Sequence, residues 1–206
     1  MLTKLKLKFQ ELVASWSQII YRIGLKPNII SLLGLIMGFS SGIIYWAAGV
    51  LSTDLNIYRV YLILALLFLL LSGICDALDG AMARTCGRVT AFGGFLDSIV
   101  DRYVDSAVLL GLILGGLCDL LWGALALIGS LLTSYARARA ESSGVLMESV
   151  GLVERAERII IILISSLIEI ICPSLPALRI GILVLAIASN FTVLQRILYF
   201  YRRVSS

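Results

Sequence analysis

The chain of 206 residues is 60% hydrophobic, with a mean hydropathy of +1.01 and a net charge of +4. Those values exclude an ordinary water-soluble domain and point to an all-α integral membrane protein, with no length left for a separate soluble catalytic domain. The positive charge lies in lysines and arginines that flank apolar runs, which suits an anionic lipid surface and gives no reason to expect nucleic acid.

In residues 1–24, Lys4, Lys6 and Lys8 precede Phe9, Leu12, Val13, Trp16, Ile19 and Ile20 at helical spacing. Gln10, Glu11, Ser15, Ser17 and Gln18 interrupt the run, so it is too polar to span and lacks the apolar core of a signal peptide. The pattern predicts an amphipathic helix lying in the membrane interface, ahead of one domain over 25–206. Pro27 is suited to open the next helix, and residues 29–51 are apolar and long enough to cross a bilayer. Within them Gly34, Gly38 and Gly42 recur every four residues, a flat face for close helix contact. A polar turn over 54–59 leads to a second helix over about 58–84, which at 1.5 Å per residue is about 40 Å long and should protrude at its far end.

A third span is expected over 91–117, with Asp97, Asp101 and Asp105 on one stripe. Asp105 reads as the partner of an arginine such as Arg102. Further spans are expected over 120–136, 159–172 and 177–199, giving six transmembrane helices. With that count, only Arg59 and Arg179 of the 17 lysines and arginines fall on the far side, and Arg102 lies within a span. The positive-inside rule therefore puts the 76–91 turn at the cytoplasmic face of the cell membrane. Cys75, Cys86, Cys118 and Cys172 form no close motif and read as small apolar residues, although Cys118 and Cys172 share the outer face in this topology.

The chemistry concentrates between Asp76 and Asp101. Asp76 and Asp79 lie three residues apart and Asp97 and Asp101 four apart, so each pair projects from one face of a helix. Thr85, Gly87, Thr90 and Gly93 between them allow the chain to turn back and bring the pairs together. Two carboxylates about 5 Å apart repel by roughly 3 kcal/mol at an effective dielectric near 20, so such a cluster calls for protons or cations. The chain has no histidine, and an all-oxygen site favours Mg²⁺, Mn²⁺ or Ca²⁺ over zinc. The alternative is plain pairing with Arg84, Arg88 and Arg102.

The pattern Asp76-x-x-Asp79-Gly80-x-x-Ala83-Arg84, eight residues, then Gly93-x-x-x-Asp97-x-x-x-Asp101 resembles the signature of the CDP-alcohol phosphotransferase family, membrane enzymes of phospholipid synthesis. Every fixed position is filled. The resemblance implies that Asp76, Asp79, Asp97 and Asp101 hold a pair of Mg²⁺ or Mn²⁺ ions, with Asp101 also the general base. It implies a cytidine diphosphate site at Asp79, Gly80, Ala83, Arg84, Thr90 and Gly93, with Asn28 from a Pro-Asn pair that members of the family carry. It also implies a CDP-linked lipid donor and a homodimer.

Arg137, Arg139, Arg155 and Arg158 gather near the same face, and planar guanidinium forks suit a phosphate-bearing acceptor. Their alternative use is snorkelling and pairing with Glu141, Glu148, Glu154 and Glu157. The segment Ser134-Tyr135-Ala136-Arg137-Ala138-Arg139-Ala140-Glu141, with Glu154-Arg155-Ala156-Glu157-Arg158, is similar to phosphatidylinositol phosphate synthases and their archaeal counterparts. That similarity implies inositol phosphate as acceptor, held by Arg137, Arg139, Ser142, Arg155 and Arg158, with CMP released. Glycerol 3-phosphate as acceptor, or CDP-inositol as donor, are the alternatives within the family. A small ion transporter is the alternative outside it, but its acids would be expected near the bilayer midplane.

Overall fold

The structure is a computed structural model that describes residues 26–87, 89–147 and 150–205; the expected interfacial helix over 1–24, Arg88 and Glu148 lie outside them. Every regular element among the described residues is a helix: α1 (Pro27–Val50), α2 (Leu55–Thr85), α3 (Ala91–Leu114), α4 (Leu120–Ser142), α5 (Arg155–Ile171) and α6 (Ala177–Val204). Local chemistry sets several starts. Pro27 opens α1, Asp54 accepts from the amides of Asn56 (2.8 Å) and Ile57 (3.0 Å), and Thr90 accepts from Gly93 (3.0 Å). The Glu157 carboxylate accepts from the Glu154 amide at 3.0 Å, closing the first turn of α5.

The helices α1, α2, α4 and α6 are long and apolar enough to cross a membrane. Of the other two, α3 carries Asp97, Asp101, Arg102 and Asp105 in its first two thirds, and α5 has 17 residues, about 25 Å of helix. Outward faces are apolar throughout, with Ile43, Leu114 and Ile171 each 60% exposed or more. So much apolar surface is tolerated in lipid and not in water. Two helices run further than their apolar stretches predict: α4 continues to Ser142 and α6 to Val204. Hydropathy marks where lipid ends, whereas backbone hydrogen bonding continues past that point into water.

Helix α1 packs against both α2 and α3, while α6 packs against α4 and α5. Contacts between α3 and α4 and between α2 and α5 join the two groups. The core at their junction includes Tyr45, Leu62, Leu69, Leu109, Leu112 and Leu185. The glycine face of α1 is turned inward. A Cβ on Gly42 would collide with the Ala107 carbonyl of α3, and one on Gly49 with the Gly115 carbonyl beyond it. That approach brings polar groups together across helices: Ser41 donates to the Ala65 carbonyl (2.8 Å), Ser72 to that of Gly34 (2.8 Å), and Tyr45 pairs with Ser166 (2.7 Å). Such bonds are worth about 0.6 kcal/mol each within a membrane. At the end of the bundle away from the acids, Glu169 accepts from the Tyr58 hydroxyl and, at 2.7 Å, from the Leu178 amide. Cys118 and Cys172 are both free; burial pushes the Cys118 thiol up to about 11, with Asp119 adding to the effect.

The close approach gives a direct test. Gly42→Leu should cost about 1–3 kcal/mol of stability and lower the unfolding midpoint of the purified protein in detergent. Gly73→Leu should not, because a Cβ there meets nothing within 4 Å.

Candidate active site

Asp76 and Asp79 lie near the end of α2, and Asp97 and Asp101 in the first turns of α3. Gly87, with φ of 62°, adopts the left-handed conformation that ends α2, and Thr90 then caps α3. The resulting hairpin brings oxygens of Asp76, Asp97 and Asp101 within 4.8 Å of one another. Asp79 is not part of that trio. It is 5% exposed and its Oδ2 accepts from the Ser31 hydroxyl of α1.

The trio suits a hard divalent cation: three anionic oxygens converge, and each pair, 4.8 Å apart or less, repels by about 3 kcal/mol or more at an effective dielectric near 20. Part of that repulsion is offset within the chain by an arginine the local sequence does not point to. Arg155, from the start of α5, places Nη1 at 2.8 Å from both Asp76 Oδ2 and Asp101 Oδ1. Of the arginines expected there, Arg102 lies 3.8 Å from Asp101 and donates to the Ser98 carbonyl of its own helix at 2.6 Å. Arg84 lies over Gly80, where a Cβ would sit 3.4 Å from its Nη1.

Two cavities adjoin the acids. One of about 160 Å³ is lined by all seven residues expected at the nucleotide: Asn28, Asp79, Gly80, Ala83, Arg84, Thr90 and Gly93. Three glycines, Gly80, Gly93 and Gly94, line it without side chains. A Cβ on Gly93 would lie 3.0 Å from Thr90 Oγ1 and 3.7 Å from Asn28 Oδ1. Asp97 lines this cavity as well as belonging to the trio.

The second cavity, about 200 Å³, is lined by Asp101 and Asp105 and by five arginines, Arg102, Arg137, Arg155, Arg158 and Arg196. Three of the five residues expected to hold an acceptor phosphate are therefore here, and Arg139 and Ser142 are not. Residues two apart on a helix face nearly opposite ways, so Arg137 and Arg139 could not share one pocket. Arg139 instead lines a larger apolar cavity of about 570 Å³ between α4 and α6, which holds none of the carboxylates. Ser142 donates back to the Arg139 carbonyl at 2.7 Å.

Asp105 pairs with arginines, though chiefly with Arg158 (2.9 Å) and next with Arg155 (3.7 Å), not with Arg102. The helix turn above it offers Arg102, but the packing of α5 against the bundle brings stronger partners from another helix. Arg196 was not anticipated from sequence. It is buried in α6, donates from Nε to the Val150 carbonyl at 2.9 Å and from Nη1 to that of Thr133, and lies 3.9 Å from Glu154. Its signal was available, since an arginine inside an apolar run has to face something polar. Nε of Arg155 and Nε of Arg158 are buried without a hydrogen-bond partner, so this cavity offers unused donors.

A family model described as CDP-alcohol phosphatidyltransferase matches residues 25–194. The archaetidylinositol phosphate synthase of Pyrococcus horikoshii is 37% identical over 200 residues, covering 96% of this chain and 95% of that protein. The phosphatidylinositol phosphate synthase of Mycobacterium tuberculosis is 32% identical over 184 residues, covering 85% of this chain and 79% of that one. The crystal structure of the M. tuberculosis enzyme with CDP-DAG bound matches with a TM-score of 0.74 at 30% identity, over 93% of this chain and 94% of that one. A second structure of it, in complex with manganese and citrate, matches with a TM-score of 0.73 at 30% identity, over 92% and 88%. The chain is an enzyme that belongs to the CDP-alcohol phosphatidyltransferase family.

Proposed function

We propose that the protein transfers a phosphatidyl-type or archaetidyl group from a CDP-linked lipid to inositol phosphate and releases CMP. The observation that carries this reading is the position of Asp101. One carboxylate belongs to the acidic trio and also lines the arginine cavity, so a proton acceptor stands between the place for a donor diphosphate and the place for an acceptor phosphate. The names of the similar proteins from P. horikoshii and M. tuberculosis support the same pairing of lipid donor and inositol phosphate.

Each step falls to a named group. Gly80 and Gly93 leave room for the diphosphate to approach the backbone, and Arg84 and Asn28 stand at the same cavity to bind the cytidylyl part. Asp76, Asp97 and Asp101, with Asp79 behind them, are the residues that would hold Mg²⁺ or Mn²⁺, two ions by family resemblance. Such ions, when bound, offset the charge that gathers on the leaving CMP. Arg137, Arg155, Arg158 and Arg196 hold the acceptor phosphate and so aim its inositol at Asp101. Asp101 takes the proton of the attacking hydroxyl while the new oxygen–phosphorus bond forms and the bond to CMP breaks. Glycerol 3-phosphate offers the same phosphate to the same arginines, and an acceptor panel separates the two.

In the membrane, all six helices cross, residues 25–206 act as one catalytic domain, the acids face the cytoplasm, and two copies associate as a homodimer. The distribution of basic residues supports the orientation. Cys172, exposed beyond the end of α5, should react with an impermeant thiol reagent added outside intact cells. Cys86, beyond the end of α2, should react only after permeabilisation.

Asp101→Asn should lower CMP release by about 10²–10⁴-fold, and saturating Mn²⁺ should not restore it. Recovery by excess Mn²⁺ would make Asp101 a metal ligand and nothing more. Arg137→Ala should raise the KM for inositol phosphate by roughly tenfold or more, the usual effect of losing a charged hydrogen bond. Arg139→Ala, on the opposite face of the same helix, should leave that KM unchanged.

A further inference from the structure

We infer that Arg155 couples the two halves of the site: its guanidinium competes with a divalent cation for Asp76 and Asp101, and a phosphate in the neighbouring cavity relieves that competition. The inference rests on the proposed function, because the phosphate is that of the acceptor.

The geometry is specific to this arginine. A single nitrogen, Nη1, lies 2.8 Å from Asp76 Oδ2 and 2.8 Å from Asp101 Oδ1. Both contacts are ion pairs, and the one to Asp101 lacks hydrogen-bond geometry, since that oxygen is buried with no hydrogen-bond partner. Both carboxylates belong to the trio whose oxygens lie within 4.8 Å of one another. A cation seated among those oxygens would stand in contact with the guanidinium, and like charges at that distance in a partly dehydrated site repel strongly. Arg155 and the cation therefore bind the same carboxylates at each other's expense.

Arg155 also lines the second cavity, where its Nε has no hydrogen-bond partner and lies 3.7 Å from Asp105 Oδ1. Arg158 already takes the other oxygen of Asp105 at 2.9 Å. A phosphate in that cavity offers Nε and Nη2 the paired acceptors that Asp105 does not, and its charge offsets that of the guanidinium. Drawing Arg155 toward the phosphate frees Asp76 and Asp101. Phosphate should therefore strengthen cation binding, and by linkage the cation should strengthen phosphate binding by the same factor.

The test is equilibrium binding to the full chain in nanodiscs. Free Mn²⁺ would be followed by electron paramagnetic resonance, with protein-free titrations correcting for chelation. Saturating myo-inositol phosphate should lower the Mn²⁺ Kd of the wild type by at least about fivefold, the lower end of usual coupling between sites. Arg155→Gln should bind Mn²⁺ more tightly than wild type without inositol phosphate, and adding it should then change the Kd little. Coupling that persists undiminished in Arg155→Gln would overturn the inference, since the phosphate would then be acting on the metal directly. So would a wild-type Kd that does not move although inositol phosphate binds. The wild-type titration needs no substitution, so a misfolded variant leaves the inference exposed to refutation. If inositol phosphate fails to bind the wild type at all, the acceptor assignment falls together with the coupling, which distinguishes the two failures.

Discussion

Three carboxylates whose oxygens converge to within 4.8 Å cannot stand without positive charge, and the bundle is arranged around how that charge is delivered. The hairpin of α2 and α3 creates the repulsion by bringing two short aspartate spacings together. The start of α5 reaches across to offset it through Arg155. Neither half of this arrangement is stable by itself: acids without a cation repel, and a guanidinium buried without acids is costly. Their mutual need fixes how α5 docks against α2 and α3 at the polar end.

The apolar remainder serves that end. Close contact of α1 with α2 at Gly34 and with α3 at Gly42 and Gly49 accompanies the placing of Ser31 against Asp79 and of Asn28 beside Gly93. Glu169 fastens α2, α5 and α6 at the opposite end, which holds the helices in register along their length. Buried arginines then line a cavity next to the acids, and their charges are balanced by Asp105, Glu154 and backbone carbonyls. Opposite charges are thus laid out as two neighbouring territories that meet at Asp101.

Much of this was legible in the chain. Spacing predicted that all four of Asp76, Asp79, Asp97 and Asp101 would converge, because a helix repeats its face every three or four residues and a glycine-bearing turn can reverse it. Three do, and Asp79 turns instead to Ser31 of α1. Apolar runs located all six helices. What remained hidden depended on tertiary contact. Nothing near Asp76 in sequence names Arg155 as its partner, and the nearby Arg102 turns instead to a carbonyl of its own helix. The ends of α4 and α6 lie beyond their apolar runs because polar residues continue a helix as readily as apolar ones. The division of Arg137 from Arg139 could have been read from helical geometry, and the burial of Arg196 from its apolar neighbours.

The inward glycine face of α1 also limits how copies of the protein can meet. The smooth surface that lets two helices approach closely is already occupied by α3, so another molecule approaching α1 from outside meets Leu32, Ile36 and Ile43. Branched aliphatic surfaces of this kind contact lipid tails about as well as they contact one another. Self-association along that side would consequently be shallow, and sensitive to the length and saturation of the surrounding acyl chains.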